Sequence, residues 1–123
     1  MQPQRRKPPK SGIQRAPERS WRRHEQWVRG FACVAFKADA ENCRGKIQCC
    51  HTRLGTGGGT ALKPPSWYSF PACERHHDEQ HTIGERSFEK KYGLDLRAIA
   101  LKLARMSPDK AMKDEMIASG VTL

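Results

Sequence analysis

The apolar side chains of the C-terminal third recur at a helical period. Phe88 and Tyr92 lie four residues apart in a segment that stops at Gly93. Asp95 then precedes LRAIALKLARM, whose apolar residues are spaced three and four apart. Ser107-Pro108 has the order of an N-cap followed by a proline in the first helical turn, and DKAMKDEMIAS comes next. This third of the chain is therefore predicted to be helical, with two or three packing helices.

The N-terminal half alternates short apolar runs with polar stretches. Ser20 can cap a short helix that runs to about residue 29. The run FACVAF at residues 31–36 is typical of an extended segment that enters a loop. Two segments, KIQCCHTR at 46–53 and WYSF at 67–70, have the composition of strands.

The segments around the second strand complete the pattern. Residues 55–66 contain four glycines and two prolines, which exclude regular structure and predict a loop. The polar, glutamate-rich segment that begins at Cys73 predicts a helix to about His81. The expected order in the middle of the chain is therefore strand, loop, strand and helix.

Composition limits the chain to one small domain with a lean core. It has 123 residues, of which 37% are hydrophobic. A stabilising cross-link in addition to the hydrophobic core is therefore plausible. No run of about 18 apolar residues could span a membrane, and no apolar signal-peptide core follows Met1. We therefore expect a cytoplasmic protein. Its five cysteines, an odd number, should then stay reduced, which favours metal binding over disulfides.

Positive charge is concentrated at the start of the chain. The formal net charge is +10, and residues 1–30 hold nine Lys and Arg against two Glu, which accounts for +7 of it. Such an arm can bind nucleic acid, because each neutralised phosphate releases counterions. The alternative is a solvated tail that only aids solubility. In both cases residues 1–19 are predicted to be a disordered basic arm.

The pair Cys73 and His76 has the C-x2-H spacing that a tetrahedral zinc ion accepts. Cys33 and Cys43 lie before the first predicted strand, where a structural zinc knuckle would draw its other two ligands. We therefore predict that a structural Zn²⁺ is bound by Cys33, Cys43, Cys73 and His76. The alternative is that these cysteines are small buried hydrophobic residues, as free cysteines often are.

A second set of residues suggests a catalytic ion. His77 and His81 share one helix face and can reach one ion, although a solvent-facing pair on a polar helix would have the same spacing. His51 ends the first predicted strand. Cys50 lies where a third ligand could reach, and Cys49, on the opposite face of the strand, is assigned to the core. This order of residues is the layout of a ββα-metal nuclease site.

Hydrolysis of a phosphodiester needs the groups that this layout supplies. An imidazole can serve as general base for water at neutral pH, and we assign that role to His51. A divalent ion bound by the helix histidines would act as a Lewis acid on the phosphate and the leaving oxygen. Mg²⁺, Mn²⁺, Ni²⁺ and Zn²⁺ are the candidate ions, and a cysteine ligand would favour Zn²⁺ over Mg²⁺.

Four features occur together in the middle of the chain: His51, a glycine loop that leads to KPPS, the C-x2-H-H-x3-H pattern of residues 73–81, and the trailing IGERSFEKKYGLDL. Together they resemble the phage and prophage branch of the HNH endonucleases, over about residues 27–103. The resemblance implies an α+β protein with a small ββα-metal (HNH) fold, a structural zinc knuckle and additional C-terminal helices. The nuclease domain would span 20–106, and 107–123 would form a helix that packs on the domain or extends from it.

The resemblance also assigns roles to residues. It implies that His51 is the general base and that His77 and His81 bind the catalytic ion. Relatives carry Asp or Asn at the position of Ser66, where it orients the base or binds metal. The shorter hydroxyl arm of Ser66 either weakens catalysis or leaves this role to a neighbour. A phage-encoded protein or one of a bacterial host is implied, with the RecA filament as a candidate partner.

DNA is the expected partner, and relatives hold it with a basic N-terminus. The matching residues of this chain are Arg5, Arg6, Lys7 and Lys10. Arg53 and Lys63 flank the glycine loop and are candidates for phosphate contacts, which position DNA without reading its sequence; the alternative is ordinary surface charge.

The predicted function is that of a monomeric, metal-dependent DNA endonuclease. One alternative is a non-catalytic, zinc-stabilised DNA-binding module, which Ser66 and Cys50 favour. Another is a toxin-like RNase on the same scaffold. Trp21 and Trp27 are expected to pack on the domain rather than to stack on bases.

Overall fold

A computed structural model describes residues 21–54 and 64–121, which form six α-helices and one two-stranded sheet. This part of the chain is therefore α+β, as predicted, and α3 follows the second strand directly. Two 3-10 turns, Ala40–Asn42 and Ser66–Tyr68, precede the two strands. The elements in chain order are α1 (Arg22–Val28), α2 (Phe36–Asp39), β1 (Ile47–His51), β2 (Ser69–Cys73), α3 (Glu74–Ile83), α4 (Glu85–Tyr92), α5 (Leu96–Met106) and α6 (Lys110–Ala118).

Several predictions concern residues outside these ranges. They are the basic arm with Arg5, Arg6, Lys7 and Lys10, and the glycine loop with Lys63. Within 21–54 and 64–121, no helix is both long enough and apolar enough to cross a bilayer.

The strands β1 and β2 pair antiparallel, with His51 opposite Ser69 and Ile47 opposite Cys73. The first strand agrees with the prediction, but the second begins two residues later than predicted and continues through Pro71. Pro71 lacks an N–H, yet it fits because its backbone faces away from β1 at this position. Its carbonyl there accepts a hydrogen bond of 2.9 Å from the N–H of Val34. The segment before α2 thus binds the outer edge of β2.

Two local predictions are wrong. The segment predicted to be extended as far as Phe36 instead turns into the short helix α2, and the N–H of Phe36 donates to the carbonyl of Cys33 at 2.9 Å. The last helix begins at Lys110 rather than at Pro108, because Asp109 is its N-cap and accepts the N–H of Met112 at 3.0 Å. The remaining predicted helices are present, with α3 two residues longer than expected.

The buried apolar residues of the described ranges form two hydrophobic clusters. The sheet cluster lies between the sheet and the helices α4 and α5, and two of the predicted zinc ligands belong to it. Its buried members are Cys33, Ala35, Cys50, Phe70, Ala72, Cys73, Phe88 and Leu96.

The helix cluster joins the C-terminal helices to the turn before β2. Met112 and Met116 of α6 are fully buried against Trp67, Tyr68 and Ala104. Helix α6 therefore packs on the domain. Trp21 packs against the same cluster, and Trp27 makes an edge contact with Phe31 at 4.8 Å between ring centroids, as expected for packing tryptophans.

Candidate functional site

Four predicted ligands meet where three segments converge. Cys33 follows α1, Cys43 follows the turn after α2, Cys73 ends β2 and caps α3, and His76 lies in the first turn of α3. Their ligand atoms all lie within 4.8 Å of one another. Three of these residues are buried and Cys43 is half-buried. The group can hold a metal ion such as zinc.

The separations within this group fit tetrahedral coordination. The Nδ1 atom of His76 lies 3.5 Å from the Sγ of Cys33, 3.5 Å from that of Cys43 and 3.2 Å from that of Cys73. One zinc ion with ordinary Zn–N and Zn–S bonds and tetrahedral angles would separate the nitrogen from each sulfur by about 3.5 Å. The donor set, three sulfurs and one nitrogen, is also one that zinc prefers.

A carboxylate hydrogen-bonds to the ring nitrogen of His76 that faces away from the thiols. The Nε2 atom of His76 lies 2.9 Å from the Oδ2 of Asp39, so Nε2–H can donate to Asp39 while Nδ1 faces the thiols. Asp39 also accepts from the Nδ2 of Asn42 at 2.7 Å. The hydrogen bond from His76 is the main cause that lowers the pKa of Asp39. Asp39 was not predicted, and its position between Cys33 and Cys43 in sequence is the only signal that could have indicated it.

The thiols of the group differ in how readily they ionise. None of the five cysteines forms a disulfide, so all five are thiols. Burial raises the pKa of Cys33 and raises that of Cys43 to about 12. Burial also acts on Cys73, but backbone N–H groups of His76 and Arg44 outweigh it and lower the pKa of that thiol to about 7. Metal binding must therefore displace protons from Cys33 and Cys43, which couples metal affinity to pH.

The two remaining helix histidines form a second pair on α3. The Nε2 atoms of His77 and His81 are 3.0 Å apart. Two imidazoles bound to one ion would have their nitrogens about 3.0–3.4 Å apart. The Nδ1 of His77 lies 2.6 Å from the Oε1 of Gln48 on β1, which fixes the proton on Nδ1 and leaves Nε2 as an electron-pair donor. Burial, followed by the charge of His81, lowers the pKa of His77, which favours the neutral ring.

Cys50 does not join this pair, which corrects the prediction that it is a third ligand. Its side chain is 1% exposed and belongs to the sheet cluster, and its Sγ lies 3.6 Å from the backbone oxygen of Gln48. Burial raises the pKa of this thiol far above neutrality. Among the described residues, His77 and His81 have no third histidine, cysteine or acidic residue grouped with them as ligands. Cys49 is only half-buried, although it was assigned to the core.

His51 ends β1 beside the same helix. Its carbonyl oxygen accepts from the Nε2 of Gln80, at 3.4 Å, and Gln80 precedes His81 on α3. The Nε2 of His51 lies 3.7 Å from the Oε2 of Glu25 on α1. Side chains alternate along a strand, so His51 and Gln48, three residues apart, leave β1 on opposite faces.

Ser66 lies close to the same glutamate. Its hydroxyl donates to the Oε2 of Glu25 at 2.6 Å and accepts the N–H of Trp21 at 2.9 Å. Glu25 therefore contacts both predicted catalytic residues, Ser66 and His51. No pattern in the sequence indicated this, because Glu25 lies on a separate helix far from either residue along the chain.

Arg53 is exposed at the start of the glycine loop, and its backbone is held in place. Its N–H donates to the Oε1 of Glu85 at 2.9 Å, and the hydroxyl of Thr52 donates to Oε2 of the same side chain at 2.7 Å. The Arg53 side chain lines a shallow groove of about 450 Å³ together with Arg86. This groove therefore has two arginines in its lining, close to the end of β1 along the chain.

Comparison with known proteins gives a family and one distant relative. The chain is 30% identical over 94 residues to "Uncharacterized protein YdfU" of Escherichia coli (strain K12). That alignment covers 74% of this chain but 25% of YdfU, so the chain spans about a quarter of its relative's length. No solved structure matches the chain. Residues 5–110 match the family described as "Protein of unknown function (DUF968)", and because this match covers most of the sequence, the chain belongs to the DUF968 family.

Proposed function

We propose that this protein is a metal-dependent endonuclease of the HNH type that hydrolyses DNA phosphodiester bonds. The observation that carries the proposal is the histidine pair on α3, whose Nε2 atoms are 3.0 Å apart and whose first member is oriented by Gln48. The order β1, β2, α3, with His51 as the last residue of β1, is the order that the sequence predicted for a ββα-metal site. The backbone oxygen of His51 contacts α3 through Gln80, while the imidazole leaves β1 on the face opposite Gln48. The site is assigned from these residues together, since two histidines alone are a weak signal.

Each residue of the proposed site has a chemical task. His77 and His81 present Nε2 lone pairs, and Gln48 holds the His77 ring in the orientation that binding requires. These two histidines would hold a divalent ion, which would supply Lewis-acid stabilisation to the phosphate and to the leaving oxygen. His51 accepts a proton from the attacking water. Two imidazole ligands without a carboxylate favour Zn²⁺ or Ni²⁺ over Mn²⁺ and Mg²⁺.

We assign the four-donor group to a structural Zn²⁺ rather than to catalysis. Four protein ligands fill a tetrahedral ion and leave no position for water or substrate. The ligands also come from segments that are far apart in the sequence: the stretch from Cys33 to Cys43 and the β2–α3 junction. Binding would fasten the first to the second, which suits a domain with a small core.

Arginines near His51 support a path for a nucleic-acid backbone. Three shallow grooves adjoin: Arg53 and Arg86 line the first, Arg86 and Arg97 the second, and Arg97 and Arg105 the third. Their volumes are about 450, 340 and 310 Å³. Guanidinium groups pair well with phosphates. The acidic side chains in these grooves are engaged with backbone N–H groups: Glu85 with Arg53, Glu89 with Leu96 and Asp95 with Ala98.

A non-catalytic, zinc-stabilised DNA-binding module is the second candidate. The burial of Cys50 favours it, because that leaves the α3 pair with two ligands where a third was expected. Such a module would keep the structural zinc and the arginine grooves, and it would bind DNA with strong salt dependence but without cleavage.

Nicking of supercoiled plasmid tests the two candidates. Wild type, His51→Ala and His77→Ala are compared with Mg²⁺, Mn²⁺, Ni²⁺ and Zn²⁺, and Thr82→Ala serves as a control because it is exposed on the same helix. We expect cleavage by wild type and the control. Both histidine variants should lose on the order of 10²-fold or more in rate, the usual contribution of a general base or a bound ion.

The controls decide how a negative result is read. Zinc content and circular dichroism establish that each variant is folded and loaded. If folded wild type binds DNA but does not cut it with any of the four ions, the nuclease proposal is wrong and the binding module replaces it. Parallel reactions with RNA test the toxin-like RNase alternative.

A further inference from the structure

We propose that Glu25 is the positioning residue of the general base His51, and that Ser66 holds Glu25 in place for that role. This inference rests on the proposed nuclease function. It assigns a role to a carboxylate from helix α1, outside the strand–loop–helix segment that carries the rest of the site.

The hydrogen bonds of Ser66 define the direction of its proton. Ser66 is fully buried, and its oxygen accepts the N–H of Trp21 at 2.9 Å. Its own hydroxyl hydrogen then points to Glu25, whose Oε2 lies 2.6 Å away. Since Oε2 accepts this hydrogen, the carboxylate is held in one rotamer beside His51. A short, charge-assisted hydrogen bond of this kind is stronger than one between neutral groups.

The same oxygen faces the imidazole. Oε2 of Glu25 lies 3.7 Å from Nε2 of His51, which is too long for a hydrogen bond but within the range of an ion pair. Both side chains are only 16% exposed, so water screens their interaction weakly. When His51 takes a proton from water, the imidazolium forms next to a fixed negative charge. Glu25 thereby stabilises the product of that proton transfer and restricts the ring to one orientation.

This arrangement accounts for the serine at position 66. The resemblance leads one to expect Asp or Asn there, a side chain that could contact the base itself. Ser66 has a shorter side chain, and the structure pairs it with the longer Glu25. Serine and glutamate from two elements thus supply the oxygen that one longer residue would supply, and full activity is expected in spite of the substitution.

Glu25→Gln is the decisive variant. Glutamine retains the side-chain oxygen that accepts from Ser66, so the link between α1 and the turn at Ser66 is preserved while the negative charge is removed. We expect kcat for plasmid nicking to fall on the order of 10-fold or more with KM nearly unchanged. Gln26→Ala, the exposed next residue of α1, should cut like wild type, and Glu25→Asp should recover part of the lost rate.

The ring-nitrogen resonances of His51 provide a second readout that needs no DNA. They should differ between wild type and Glu25→Gln at the same pH, and they should be unchanged in Gln26→Ala. If Glu25→Gln cuts with the wild-type kcat and the His51 resonances are unchanged, the positioning role is wrong. If wild type itself does not cut, the nuclease proposal fails separately. The His51 resonances would then still test the contact between Glu25 and His51, and resonances that are unchanged in Glu25→Gln would show that this contact is wrong.

Discussion

At the residue scale, folding places His24 where no water reaches it. Its side chain is fully buried, and its Nδ1 lies 2.8 Å from the hydroxyl of Ser107. Burial lowers the pKa of His24 from 6.5 to about 4, against the charges of Asp109 and Glu25, which raise it. Between these two pH values the unfolded chain binds a proton that the folded chain rejects. The stability due to His24 is therefore present above pH 6.5 and is lost as the pH falls towards about 4.

The size of this effect is up to about 3 kcal/mol, at 1.36 kcal/mol for each pKa unit. It can be measured from the free energy of unfolding of wild type and His24→Gln between pH 7 and pH 4. The difference between the two proteins should shrink as the pH falls, because only wild type gains a proton on unfolding at this position. A difference that stays constant over the whole range would contradict the assignment.

The candidate site also shows what residue chemistry can and cannot predict. The spacing of Cys73 and His76 and the small number of cysteines were enough to name all four residues that cluster. Asp39, Gln48 and Glu25 were missed because each contacts a site residue only after distant segments have folded together. The Cys50 prediction failed for a related reason: sequence does not tell which face of a strand is buried.

At the scale of secondary structure, the cap of α5 has a measurable energy. The side chain of Asp95 accepts the N–H of Ala98 at 3.0 Å, which satisfies one backbone donor of the first turn. Asp95→Ala should lower the free energy of unfolding by about 1 kcal/mol. Asp95→Asn keeps an acceptor oxygen and should lose much less. Equal stability of all three proteins in denaturant titrations would show that the cap contributes nothing.

Elements were predictable where the local signal agreed with the tertiary structure. The helices α4 and α5 and the strand β1 were predicted from periodicity, caps and composition. The strand β2 extends beyond the predicted segment 67–70 through Pro71, a residue that is acceptable there because its backbone faces away from β1. The start of α6 was misplaced because Ser107 bonds to His24 as well as to the N–H of Asp109, and a partner 83 residues away cannot be seen locally.

At the scale of the whole molecule, the proposed zinc should decide whether the sheet cluster stays packed. Cys33 and Cys73 belong to both the metal group and this cluster, so they connect the ion to the packing of Phe88 and Leu96. Without metal, the ligand atoms would lose their common partner, and the segment from Cys33 to Cys43 would keep only its direct contacts, such as Val34 with Pro71 and Asp39 with His76. Because metal binding and folding are coupled in such sites, chelation should destabilise the fold.

We expect wild type to contain about one tightly bound zinc and to lose roughly 10–20 °C in Tm with a strong chelator, which corresponds to a few kcal/mol for a domain of this size. Cys43→Ser should resemble chelated wild type, with less zinc and a low Tm that the chelator hardly changes. Cys49→Ser is the matched control, since Cys49 lies outside the group, and it should retain zinc. Wild type that contains no zinc, and whose Tm does not respond to chelation or to added Zn²⁺, would show that the four residues form a packed thiol cluster instead.

The helix cluster contains none of the four ligands. The packing of α6 should therefore persist after chelation has loosened the sheet cluster. The near-ultraviolet circular dichroism of Trp67 and Tyr68, which belong to the helix cluster, would measure this.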